Sequence, residues 1–148
     1  MTHSISAALL VAAALTTAAC DESLSSIAGP TPNLEPTFSS IQREIFESSD
    51  SSGREACVAC HNAVGAQFTA GLNLIHDLAY DQLVNRASTQ KPSLMRVAPG
   101  SSDSSYMVHK LQGVPEIVQL RMPRNPPYLT AGQISIIRRW IDLGAPRN

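Results

Sequence analysis

The five residues Cys57-Val58-Ala59-Cys60-His61 constrain this chain more than any other feature. They put two thiols and an imidazole side by side in a stretch with no regular period around it. A polar loop, Ser48 to Glu55, leads into them, and much of 60–76 shows neither helical nor strand spacing. A second such stretch covers 113–129. Long segments without regular structure are uncommon in a compact domain unless something gathers them. Aromatic residues, which could fill such a centre, are 5% of the 148, with a single tryptophan. Small domains short of core often add a metal, a disulfide or a cofactor.

Cys-x-x-Cys-His is the attachment signature of a c-type haem. Two thiols three positions apart can each add to one vinyl group of the same porphyrin, and the next residue, His61, then lies beneath the iron. Two other employments compete. A thiol–disulfide redox pair wants a strand-to-helix junction in an α/β fold, and no strand pattern precedes Cys57. A structural zinc wants two more ligands at a zinc-like spacing. The sequence has no second Cys-x-x-Cys, and His76 and His109 fit no such spacing. The third cysteine, Cys20, is far away and has a different context. The expected cofactor is therefore one covalent haem c on Cys57, Cys60 and His61.

An iron held from one side by His61 leaves its opposite position to Met95, Met107, Met122, His76 or His109. Met122 stands out among them. It lies in Arg121-Met122-Pro123-Arg124-Asn125-Pro126-Pro127-Tyr128, a proline-stiffened loop able to present a thioether at a fixed place. Met107 sits in a helical pattern and reads as core, and Met95 as packing. The two histidines read as surface or capping residues. Arg121 and Arg124 flank Met122 and offer guidance to an acidic redox partner.

Ile5 to Ala19 is an uncharged apolar run, suited to a secretory signal and short for a membrane span. Ala18 and Ala19 precede Cys20, a pattern that resembles a bacterial lipoprotein signal with Cys20 as the lipidated residue. Residues 1–19 are thus expected as an export signal and 20–36, with Pro30, Pro32 and Pro36, as a flexible tether. Residues 37–148 form the domain, on the periplasmic side and membrane-anchored. The formal charge of −1 gives no reason to expect nucleic acid as a partner.

Helical spacing organises the domain. Thr37 caps a helix with Phe38, Ile41, Ile45 and Phe46 on one face. A second helix is expected from about Asp77 with Leu78, Leu83 and Val84, and a third over about 103–112, stopped by Gly113. The last is the best marked. Thr130 and Gln133 form a capping box, Ile134, Ile137 and Ile141 share a face, and Gly144 with Pro146 ends it. The expected class is all-α, cytochrome c-like, with short helices and long loops wrapped around one haem.

With these residues in view the domain resembles bacterial single-haem cytochrome c domains. The likeness covers most of 38–146. It runs through CVACH at 57–61, GLNL at 71–74, AYDQLVN at 79–85 and VAPGSSDSSYMVHKL at 97–111. It ends on MPRNPPYLTAGQISIIRRWIDLGAP at 122–146. The resemblance implies that the first and last helices cross and that Met122 is the ligand opposite His61. It further implies that Leu72 and Leu74 line the haem pocket, with Trp140 near it. The long loop between Phe46 and Cys57 departs from the family pattern. The function this implies is one-electron transfer to and from a redox partner protein, by an electron carrier and not an enzyme. The rival readings are a haem peroxidase, a gas or redox sensor that releases Met122, and an accessory domain of a larger oxidoreductase.

Overall fold

The computed structural model describes residues 27–148. The expected export signal, the expected lipidation site Cys20 and the first part of the tether lie outside the described residues. Four α-helices follow one another: α1 (Phe38–Ile41), α2 (Ala79–Leu83), α3 (Tyr106–Gln112) and α4 (Ala131–Asp142). α1 runs on into a π-helical turn, Gln42–Phe46, and 3-10 turns occupy Cys57–Ala59, Gly65–Phe68 and Ser102–Ser104. Extended pairing is limited to isolated bridges such as Val84 with Val97 and Met95 with Ser105. No helix of the described residues is long and apolar enough to cross a membrane.

These elements correct the expected class. The all-α, cytochrome c-like architecture is not what the structure supports. The described residues are mostly loop, with four short helices and no sheet, a small helical-and-loop fold specific to no single architecture. The helices stop early for local reasons. α2 ends at Leu83 because Val84 turns extended (φ −78°, ψ 128°) and bridges to Val97. The helix expected over 103–112 opens as a 3-10 turn and becomes α-helical only at Tyr106, because Ser105 is extended. The turn after α3 needs a left-handed residue, and Gly113 supplies it at φ 73°.

α4 follows its sequence pattern closely. The Thr130 hydroxyl accepts from the Gln133 amide at 3.1 Å while the Gln133 side chain accepts from the Thr130 amide at 2.8 Å. Ile134, Ile136, Ile137, Trp140 and Ile141 are all buried. Trp140 packs on Phe38 of α1 (ring centroids 5.6 Å apart), and Phe38 meets Tyr80 of α2 edge-on at 5.0 Å. Polar tips are satisfied at the chain's end: Trp140 Nε1 donates to the Pro146 carbonyl and Tyr80 Oη to that of Ala145. Residues 27–36, expected as part of the tether, are docked on this core, with Ala28 and Leu34 fully buried. The folded unit therefore begins ahead of Thr37.

The loop between Phe46 and Cys57 has its own organiser. Arg54 is wholly buried and pairs with the equally buried Asp50 at 3.0 Å. Its remaining donors reach the carbonyls of Glu44, Ile45, Ser48 and Glu55. The guanidinium thus closes the open carbonyl end of the α1–π segment and ties it to the strand of chain entering Cys57. Asp50 also accepts from Gln133 of α4 at 3.3 Å, and Gln133 donates to Thr31. One buried polar network therefore joins the N-terminal segment, the loop and the last helix.

Candidate functional site

Between the loops lies a cavity of about 1260 Å³, larger than the ~300–1,000 Å³ common for small-ligand pockets. One wall comes from the π turn, which aims Ile45 and Phe46 at it. A second is the 3-10 turn, with Cys57, Cys60 and His61. Leu72 and Leu74, Met107, Lys110 and Leu111 of α3, and Leu120, Met122 and Leu129 complete the lining. The cavity thus gathers Cys57, Cys60, His61, Leu72, Leu74 and Met122. Phe68 lines it while 83% exposed, so it marks an open mouth.

The turn that carries the cysteines is closed by the Cys60 and His61 amides, both donating to the Cys57 carbonyl. Both thiols are free. Cys57 Sγ donates to the Ile45 carbonyl at 3.3 Å. Burial pushes the Cys57 thiol up to about 11, against the opposing charge of Arg54. Redox-active cysteines have lowered values, and that of Cys57 moves the other way. Among the described residues no group of three or more His, Cys, Asp or Glu side chains is arranged to hold a metal ion.

His61 is held at both ends. Its carbonyl accepts from the Leu74 amide at 2.8 Å, and its Nδ1 lies 3.3 Å from the Leu72 carbonyl. With the proton assigned to Nδ1, that nitrogen donates to Leu72 and leaves the Nε2 lone pair free. This is the outer hydrogen bond that orients a metal-binding imidazole. Burial pushes the His61 value down; the Leu72 bond opposes this, and the charges of Lys110 and Arg96 add to it. The neutral imidazole, the form able to bind a metal, is thereby favoured.

The candidates for the opposite ligand separate by position. Met122 and Met107 both line the cavity. Met95 is 43% exposed and lies outside it. His76 is largely exposed beside Glu47, and His109 Nε2 is engaged by the Asp103 carbonyl at 2.7 Å. Arg121, expected as a guide for a partner, is instead part of the scaffold. Its Nε donates to the Leu111 carbonyl, and its guanidinium lies 4.2 Å from the Tyr128 ring centre. Arg124 remains exposed at the cavity edge. Trp140, expected near the pocket, is in the α1–α4 core and does not line it.

Several lining residues were missed by sequence reasoning. Ile45 and Phe46, expected on one helix face, belong to the core and also line the cavity, and the π turn that carries them has no sequence mark. Lys110 and Arg96 carry no motif that marks them for the cavity. Only the i, i+3, i+4 spacing of Met107, Lys110 and Leu111 hinted that they share a face. The donor set fits a flat apolar group bonded through two adjacent sulfurs: paired free thiols, an oriented imidazole, thioethers elsewhere in the wall and aliphatic sides. Comparison with known protein families, curated proteins and solved structures finds no match to this chain.

Proposed function

We propose that this chain binds one c-type haem covalently through Cys57 and Cys60, with His61 and Met122 as axial ligands, and passes single electrons to and from a redox partner protein. The observation that carries the reading is the shared cavity: the Cys-x-x-Cys-His turn and Met122, 61 positions later in the chain, line the same space. Bound there, the haem supplies the one-electron couple, and a thioether opposite an imidazole raises its potential. The chain's own residues do the rest. The Leu72 carbonyl orients His61. The aliphatic side chains of Ile45, Leu72, Leu74 and Leu111 exclude water and lower the local dielectric. The Arg54 network holds the cysteine turn against the π segment. In this reading the protein is a carrier, exported and held at a membrane by a lipid on Cys20.

The test is the haemochrome spectrum of protein made in a host able to attach haem. Pigment that stays with the chain in acidified organic solvent, and a spectrum of two thioether links, are expected. A colourless chain, or pigment that washes out, overturns the reading. Met122→Ala should abolish the sulfur-to-iron absorption in the far red while Met107→Leu leaves it. The reverse result moves the axial role to Met107.

A further inference from the structure

Lys110 has an environment that a surface lysine lacks. It is only 8% exposed, on the face of α3 that lines the cavity. No carboxylate of the described residues pairs with it. An ammonium taken out of water without a counter-ion is costly unless its protons find acceptors. Here the acceptors are backbone. Nζ donates to the Val118 carbonyl at 2.9 Å and also to the Leu120 carbonyl. The Lys110 carbonyl in turn accepts from the Met122 amide at 2.9 Å. One residue therefore grips the loop at three points over 118–122, the last of them the backbone of Met122 itself.

Its neighbours on α3 add to the grip. Tyr106, one turn earlier, accepts the Val118 amide on its hydroxyl at 2.9 Å. The Leu111 carbonyl holds Arg121. The loop has no helix or ladder of its own to keep its path, so these bonds are what define it.

We propose that Lys110 is a positioning residue that holds Met122 in the cavity wall through the 118–122 backbone, so that the thioether meets the iron without an adjustable gap. The proposal rests on the axial role given to Met122 above. A loosened loop leaves the sulfur competing poorly with an added ligand, because the side chain must be re-ordered each time it returns.

Imidazole titration of the ferric holoprotein reads this directly. Lys110→Met keeps the aliphatic stem and removes all three donors. It is expected to raise apparent imidazole affinity about tenfold, the equivalent of a modest loss of ordering, and to weaken the far-red sulfur-to-iron absorption. Lys110→Arg, which retains charge and donors, restores most of both. Tyr106→Phe, which removes the Val118 anchor together with a longer bond to the Gln90 side chain at 3.4 Å, shifts affinity in the same direction by about threefold; it keeps the test open if Lys110→Met fails to fold. Ile137→Val, which weakens the α4 core elsewhere, leaves imidazole affinity unchanged. Wild-type affinity and absorption in Lys110→Met, or in Tyr106→Phe where only that variant folds, overturn the proposal. So does an equal rise in Ile137→Val, which would make the effect one of general stability. A wild-type protein that carries no covalent haem ends the functional reading itself, a separate and visible failure.

Discussion

The α4 core and the cavity wall are built by opposite means. α4 is capped at its own start by Thr130 and Gln133 and buries a continuous apolar face with Trp140 at its centre. Its stability comes from area removed from water and from bonds within the helix. The cavity wall is mostly loop, and its backbone is held by long side chains reaching carbonyls. Arg54 serves Glu44, Ile45, Ser48 and Glu55, Lys110 serves Val118 and Leu120, and Arg96 serves Gln82 and Ala70. A chain can thus enclose a large space and still define the walls, provided buried or half-buried cations replace the ladders that regular structure would supply. The cost is concentration. Each such cation serves several backbone groups at once, so removing one weakens the hold on all of them.

That contrast sets the order of expected effects. Arg54→Met should be the most damaging single change, about 3–5 kcal/mol in urea unfolding, because it leaves the buried Asp50 carboxylate without its counter-ion and takes a donor from four carbonyls. A loss under about 1 kcal/mol would show that the loop is held by something other than this network. The second effect is a dependence on pH. Burial pushes Asp50 upward, but hydrogen bonds from Ser52, Gln133 and Arg54 outweigh it and leave the carboxyl below its ordinary value of 3.8. Its contribution is therefore complete at neutral pH, begins to fade as pH falls toward that value, and is gone below the folded-state value. The stability difference between wild type and Asp50→Asn should shrink on going from neutral to strongly acidic solution; a constant difference would remove the ionic part of the argument. The smallest effect belongs to α4. Thr130→Ala should cost about 1 kcal/mol, by loss of one cap bond, equally at neutral and acidic pH. A pH-dependent loss there would blur the distinction between the two regions.

How far the residues announced the structure follows the same division. α4 could be read end to end, because its cap and its apolar period all act within a few residues. The Gly113 stop was readable for the same reason. α1 was half readable: Phe38 and Ile41 keep the α period, but Gln42–Phe46 is a π turn, and its Ile45 and Phe46 line the cavity as well as the core. The carbonyls of that turn meet Arg54, a partner 8 to 12 positions further on. Arg54 itself lay in what looked like a polar, solvated loop, and nothing in Ser48 to Glu55 distinguishes a buried arginine from an exposed one. The expected tether failed similarly. Its prolines suggested extension, yet Ala28 and Leu34 had a core to bury against.

By itself the amino-acid order determined the pairing of Cys57, Cys60 and His61 on one turn and the bounds of α4, since both depend on covalent spacing and short-range hydrogen bonds. Only the tertiary structure decided that Met107 and Met122, and not Met95, reach the cavity. It alone decided that Lys110 and Arg54 turn inward and that the fold is a loop-and-short-helix one specific to no single architecture instead of the expected all-α, cytochrome c-like class. Those outcomes depend on which carbonyl meets which cation across long stretches of chain. No local pattern carries that information, because the partners become neighbours only when the loops have closed.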